Sequence, residues 1–412
     1  MSHYTENLQV YLVGGAVRDQ LLGMEVKDRD WVVVGATPEE MLKRGFRAVG
    51  RDFPVFLHPL SHEEYALART ERKIRAGYSG FEFDTSPDVT LQQDLARRDL
   101  TINAMAQSET GELIDPFGGA QDLRRKILRH TSPAFIEDPV RVLRVARFVA
   151  RFDFKVANET LTLLTQMVQA GEVDALVAER VWQETEHALA ERSPSRYLET
   201  LRQCGALRKV FPEIDALFGI PQRGDYHPEI DTGVHTLMAL SEAARLSDDT
   251  KVRFATLVHD LGKALTPEDE LPSHRGHEKN GKELIAKLCD RLRVPKAFRD
   301  LAQLVCRYHL RLHRIDELKP ATILNMIEAL DPFRKPKRSE QFMHACEADY
   351  KGRMGSEEKN YPQAEQLRRC IQAVKQIDTA AVASSSQDGA AIAEEIRMQR
   401  LSAIARLTPD QV

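Results

Sequence analysis

Two aspartates, Asp28 and Asp30, stand one residue apart in VKDRDWVVVG, at the mouth of the apolar run Trp31-Val32-Val33-Val34. Runs rich in β-branched and aromatic residues form strands, and on a strand side chains two apart leave the same face. The pattern predicts two carboxylates side by side at the end of a buried strand, each raising the other's pKa. Divalent cations relieve that repulsion. Hard Mg²⁺ takes carboxylate oxygens, and two such ions about 4 Å apart stabilise both oxygens of an in-line displacement at phosphorus. Just upstream, Gly14-Gly15 separates the strand-like LQVYLV from the helix-like AVRDQLLG, which Gly23 closes. Glycines at such a junction let a phosphate approach the main-chain N–H groups of a helix start. Arg18 follows one turn later, within reach of the same anion. Together these residues point to phosphoryl or nucleotidyl transfer. Glu63 or Glu64, on a later predicted strand, is a candidate third carboxylate.

A second set lies downstream: His235, then His259-Asp260 in FATLVHDLGKA, then His277 and His309. A His-Asp pair within an apolar helix is costly to bury unless it is paired or metal-bound. Imidazole with carboxylate suits a transition metal or Mg²⁺. His235, His259 and Asp260 are the expected ligands, with His277 and His309 behind them or at a substrate phosphate. No closing carboxylate is fixed. Asp316 follows His309, but its spacing does not secure it.

A third pattern is the stripe Arg141, Arg144, Arg147, Arg151, spaced 3, 3 and 4 along one side of a predicted helix after Glu137-Asp138. Arginine stripes are commonly solvated faces. A carboxylate acceptor beside a guanidinium donor also matches a base edge, since cytosine and adenine both present an exocyclic amine.

The elements that must position these residues change character along the chain. Residues 8–117 mix strands and helices: after KDRDWVVVG come the helix TPEEMLKRG and the strands FPVFLHP and EEYALART. From about residue 137 the pattern is nearly continuous helix, including DPVRVLRVARFVARF, AERVWQETEHALAE and SPSRYLETLRQCGAL. HPEIDTGVHTLMALSEAARL and TKVRFATLVHDLGKAL read as helices with their histidines embedded, and the loose SSSQDG feeds a last helix. The expected division is a head at 8–136, a helical neck and body at 137–227, a histidine-bearing domain at 228–330 and a helical tail at 331–412.

At 412 residues the chain is long enough for two to four domains. A hydrophobic content of 42%, with mean hydropathy −0.40, fits a water-soluble protein. No apolar run nears the roughly 20 residues of a membrane span, and MSHYTENL carries no apolar leader core. The five cysteines form no CxxC pair, which speaks against a zinc ribbon and fits the reducing cytoplasm. A net charge of −4 excludes a simple basic nucleic-acid coat protein but not local basic patches.

LVGGAVRDQLLG, KDRDW, RRDLTINAMA (Arg97–Ala106) and EDPVRVLRVARF (Glu137–Phe148) occur in an order that resembles the class II tRNA nucleotidyltransferases, the CCA-adding enzymes. These belong to the DNA polymerase β-like nucleotidyltransferase superfamily. The likeness covers roughly residues 8–225 and implies an α/β nucleotidyltransferase head followed by mostly α-helical neck, body and HD domains. By that resemblance, Gly15 and Arg18 touch the triphosphate and Asp28 and Asp30 hold Mg²⁺. Arg98 contacts the nucleotide, supported by Asp99 and Asn103. Asp138 and Arg141 match the amino-acid template that selects C or A, and Arg144 and Arg147 complete the pocket.

HDLGK is similar to the HD superfamily of metal-dependent phosphohydrolases, whose ligands His235, His259 and Asp260 would match. For the bacterial branch that joins both domains, the resemblance implies phosphatase and 2′,3′-cyclic phosphodiesterase activities with Ni²⁺ or another divalent metal. The implied partners are CTP, ATP and the acceptor arm and 3′ end of tRNA, bound by a monomer or homodimer. The alternatives are a poly(A) polymerase of the same superfamily, an RNA-binding protein with a vestigial head, and an HD phosphohydrolase with a nucleotide-sensing head.

Overall fold

Val10, Leu12 and Val13 face Val33, Trp31 and Asp30 across an antiparallel pair at the centre of one sheet. The computed structural model describes residues 4–49, 55–73, 81–384 and 388–407. Phe53 and Pro54 of the predicted FPVFLHP strand, and Ser385–Gln387 of the predicted loop, lie outside them. The N-terminal elements run β1 (Gln9–Val13), α1 (Gly15–Leu21), β2 (Asp30–Val34), α2 (Pro38–Lys43), β3 (Arg47–Ala48), β4 (Val55–Leu57) and β5 (Glu64–Leu67). A separate hairpin follows, β6 (Thr70–Lys73) with β7 (Phe81–Asp84), then α3 (Leu91–Ala96), β8 (Ala106–Ser108), β9 (Leu113–Ile114), α4 (Gly119–Arg125) and β10 (Ile127–Leu128). Thr37 Oγ1 caps α2 by accepting from the Glu40 N–H, and Thr90 with Gln93 forms a capping box on α3.

The main sheet has the order β3-β4-β5-β2-β1-β8-β9, with β2 and β5 parallel and the other neighbours antiparallel. Both faces are covered. Val33 packs with Met41, Phe46, Phe56 and Leu67 on one side, and Val32 with Val89, Leu95 and Ala104 on the other. Burial on both faces explains an unbroken apolar run in place of alternation. β2 begins at Asp30, so Asp28 precedes the strand and does not lie on it as predicted. Glu64 stands opposite Asp30 in the parallel register, so the two carboxylates leave the same face of the sheet. Glu63 is turned to the Trp31 indole N–H and the Ser61 hydroxyl.

The remainder is helical: α5 (Val140–Phe152), the short β11 (Lys155–Val156) parallel to β10, α6 (Asn158–Gln169), α7 (Ala178–Ala190), α8 (Ser195–Gln203), α9 (Ala206–Val210) and α10 (Pro212–Asp215). Then come α11 (Thr232–Leu246), α12 (Thr250–Val258), α13 (His277–Arg291), α14 (Lys296–His313), α15 (Pro320–Leu330), α16 (Pro336–Lys351), α17 (Pro362–Lys375), α18 (Thr379–Ser384) and α19 (Gly389–Ala405). The chain packs as two compact units, Met1–Arg180 with Gln203–Lys209, and Val181–Arg202 with Val210–Val412. In the second, α12 packs on α11, α14 and α16.

Two predicted helices are shorter than expected. HPEIDTGVH is helical only from Thr232, because Asp231 accepts from the Val234 N–H and caps α11 there; residues 221–231 form a loop. α12 stops at Val258, which puts His259-Asp260 at a helix end and not inside it. A 3-10 turn follows, in which Gly262 lies so close to α13 that a Cβ would overlap the His277 carbonyl oxygen.

Arg253 on α12 is 3% exposed and donates to the carbonyls of Leu189, Glu191, Ala244 and Ser247. Replacing it with Met leaves these acceptors without their donor and is expected to cost about 3 kcal/mol. Trp182, which meets Phe254 edge-on, reports the transition in a Trp31→Phe background. An unchanged urea midpoint would contradict this role.

Candidate active sites

Gly14 follows β1 with φ +69°, a conformation that side chains rarely adopt, and a Cβ there would lie 2.8 Å from Arg98 Nη1. The bare backbone thus lets the Arg98 guanidinium lie against the glycine turn. Asp94, fully buried on α3, aims that guanidinium: its carboxylate takes Arg98 at 3.1 Å and Arg97 at 2.7 Å. Burial opposes its charge, but Arg98 and Arg97 hold its carboxyl below the usual range.

Arg18 is nearly buried and donates to Asp19 at 2.7 Å and to Asn103 Oδ1 at 2.5 Å. Asn103 Nδ2 donates to Asp99 at 2.9 Å, and the other Asp99 oxygen accepts from Arg144 at 2.8 Å. One polar chain therefore links α1, the RRDLTIN segment and α5. A cavity of about 400 Å³ opens among these groups, and Gly15, Asp30, Asp138 and Arg141 also line it. Asp28 and Arg147 lie outside that lining. Arg147 sits 4.8 Å over the Phe148 ring.

The expected Asp138–Arg141 partnership takes another form. Asp138 receives two bonds from Arg180 on α7, at 3.1 and 2.8 Å. Arg141 donates to the carbonyls of Ala134 and Arg97. Asp94, Arg97 and Arg180 were missed from sequence. The spacing of Asp94 three and four residues before Arg97 and Arg98 was the available signal; Arg180 gave none.

The Asp30 pKa is raised by burial and by Asp28, against the pull of Arg98. Among the described residues neither aspartate accepts a hydrogen bond, and Glu64 adds a carboxylate on the same face. These open oxygens fit a hard divalent cation.

In the second unit, His235 (α11), His259 and Asp260 (after α12), His277 (α13), His309 (α14) and Asp349 (α16) converge, each less than 5% exposed. Asp349 Oδ1 lies 3.0 Å from His235 Nε2 and 3.5 Å from His259 Nε2. Asp260 lies 3.1 Å from His259, 3.2 Å from His277 and 3.6 Å from His309. Asp349 is the carboxylate that joins the cluster besides Asp260; Asp316 is not in it. Asp349 also takes His313, and Lys263 Nζ lies 2.6 Å from Asp260.

This cluster fits a divalent metal. His259 Nε2, His277 Nε2 and Asp260 Oδ1 are buried without a straight hydrogen-bond partner. Burial disfavours charge on the His259 imidazole, but Asp260 and Asp349 push its pKa up to about 10. Gly262→Ala is expected to displace His277 and weaken Ni²⁺ binding about tenfold by isothermal titration. Unchanged affinity would show that the close approach does not position the cluster.

A family profile described as "Poly A polymerase head domain" matches residues 10–129, "Probable RNA and SrmB- binding site of polymerase A" matches 153–218, and "HD domain" matches 232–378. The chain is 60% identical to the Multifunctional CCA protein of Nitrosococcus oceani, over 96% of this chain and 98% of that protein. It is 59% identical to the protein of the same name from Thioalkalivibrio sulfidiphilus, over 97% and 98%. The fold resembles a Thermotoga maritima CCA-adding enzyme complexed with tRNA, at TM-score 0.65 and 22% identity, covering 99% of this chain and 90% of that one. A poly A polymerase-type head, an HD domain and identity of this extent establish that the chain belongs to the multifunctional CCA protein family.

Proposed function

We propose that this enzyme adds and repairs the 3′-terminal CCA of tRNA from CTP and ATP without a nucleic-acid template, in the cytoplasm. The observation that carries this reading is the cavity joining Asp30, the Gly14-Gly15 turn and the guanidinium groups of Arg18, Arg98 and Arg144. The relatives' names and the tRNA in the Thermotoga complex support it.

Asp28 and Asp30, with Glu64 as the third carboxylate, would hold Mg²⁺, which when bound lowers the pKa of the attacking 3′-hydroxyl and neutralises the triphosphate. Gly15 offers the phosphates main-chain N–H groups, and Arg18 and Arg98 supply fixed positive charge. Asp138, held by Arg180, supplies the acceptor for the exocyclic amine of cytosine or adenine. Arg141 fixes the backbone beneath it, and Arg144 completes the pocket.

The HD unit is a separate phosphatase and 2′,3′-cyclic phosphodiesterase. His235, His259, Asp260 and Asp349 would hold Ni²⁺ or another divalent ion, a Lewis acid for phosphoester hydrolysis. Its functional limits are taken as 228–378, so that Asp349 falls within it.

A poly(A) polymerase is the second reading, favoured by the description of the head profile. Purified protein with tRNA lacking CCA is expected to incorporate two cytidylates and then one adenylate; a long A tract from ATP alone would favour the polymerase. Asp30→Ala should abolish incorporation and spare phosphoester hydrolysis, and His259→Ala should do the reverse. Loss of both activities in either folded variant would refute two independent sites.

For tRNA, we propose contact at a cleft of about 720 Å³ lined by Lys251, Lys296, Lys335, Lys337 and Arg338, with Asp300 as the one acid of the lining. It includes part of the basic FRKPKR segment. Replacing Lys296, Lys335 and Lys337 together with Ala should flatten the slope of log affinity against log salt by about 2, at roughly 0.7–0.9 per phosphate contact. A wild-type slope in the triple variant would remove this surface.

A further inference from the structure

Three of the clustered histidines are held in the same way. His259 Nδ1 lies 2.7 Å from the Thr256 carbonyl, His277 Nδ1 lies 2.7 Å from that of His274, and His309 Nδ1 lies 3.0 Å from that of Val305. In each, the ring Nδ1–H donates to a main-chain oxygen, which fixes the ring and leaves Nε2 facing the cluster. His235 differs. Its Nε2 also faces the cluster, but its Nδ1 lies 3.0 Å from Glu229 Oε1, off the line of a straight hydrogen bond.

The Glu229 carboxylate has no solvent exposure. Its Oε1 also lies 2.9 Å from His227 Nδ1, and its Oε2 accepts from the Met354 N–H at 3.3 Å, just past the helix that carries Asp349. Glu229 belongs to loop 221–231, and the other end of that loop also touches the ligands' surroundings. Gln222 Oε1 accepts from Lys263 Nζ at 2.6 Å, and Lys263 in turn holds Asp260. The Pro221 carbonyl meets His274 Nε2 at 3.0 Å. Every candidate ligand is under 5% exposed, and both ends of the loop bond to groups around the cluster.

We infer that Glu229 is a positioning residue that fixes His235 for metal, and that through it closure of loop 221–231 is coupled to the metal centre. His259 and His309 are held by carbonyls of their own helices, and His277 by that of His274, whose ring meets the loop at Pro221; His235 alone takes its Nδ1 neighbour, Glu229, directly from the loop. Substrate entry lifts Glu229 from His235 and loosens the metal site, and closure restores it. This rests on reading the cluster as a divalent-metal centre.

The test uses the full-length protein with Ni²⁺ as the probe, its affinity measured by competition with a chromophoric chelator. Limited trypsin digestion at the exposed Arg223 reports the loop. Ni²⁺ is expected to slow cleavage after Arg223 in the wild-type protein. Glu229→Ala should weaken Ni²⁺ binding about 10- to 100-fold and abolish that protection. Glu229→Gln, which keeps an acceptor oxygen, should fall between the two. Wild-type Ni²⁺ affinity in folded Glu229→Ala would overturn the inference. So would cleavage at Arg223 that Ni²⁺ does not change, a reading that needs no variant. A wild-type protein that takes up neither Ni²⁺ nor Mn²⁺ would instead remove the metal centre itself.

Discussion

A carboxylate taken out of water must be met by donors or by a cation, and this constraint organises both units. Asp94 and Asp99 in the head, and Asp260 and Asp349 in the HD unit, are all nearly or fully buried. Such a charge costs several kcal/mol unless it is compensated. In the head the compensation comes from arginines. Because a guanidinium has five donors in a fixed fork, each one that satisfies a buried aspartate still presents donors to the cavity. In the HD unit it comes from imidazoles around both aspartates and from Lys263 beside Asp260. The same electrostatic demand thus surrounds the head's cavity with guanidinium groups and gathers imidazoles and carboxylates in the HD unit.

Main-chain geometry decides how closely these groups approach. Gly14 permits a guanidinium against the backbone, and Gly262 permits a turn against α13. Both positions do sterically what no side-chain contact could, and both lie beside residues of the two sites. The Gly14-Gly15 turn was flagged by the sequence; Gly262, within HDLGK, was not.

The sequence exposed what is local and hid what is distant. Two carboxylates before a valine run, and histidines in an apolar setting, stand out by residue type and spacing. The exact start of β2 did not, because a strand's first residue is set by its neighbours, here Val13 and Glu64. Asp349 was invisible because it sits on a helix far along the chain, in a segment with no histidine ligand beside it. Glu229 was misread as helical. Apolar periodicity continues through HPEIDTGV, but α11 begins only after its N-cap, Asp231. The Asp138–Arg180 pair depends on an extended residue before α5 meeting α7, which periodicity alone does not give.

The direction of three helices has a consequence of its own. α12, α14 and α16 carry His259, His309 and Asp349 toward their C-terminal ends and Lys251, Lys296 and Lys335–Lys337 at their starts. Aligned peptide dipoles place partial negative charge at helix C-termini and partial positive charge at N-termini. The bundle is therefore polarised along its length, with partial negative charge toward the histidine–aspartate cluster and partial positive charge toward the lysine-lined cleft. The backbone field of all three helices thus adds to the side-chain charge at the lysine end.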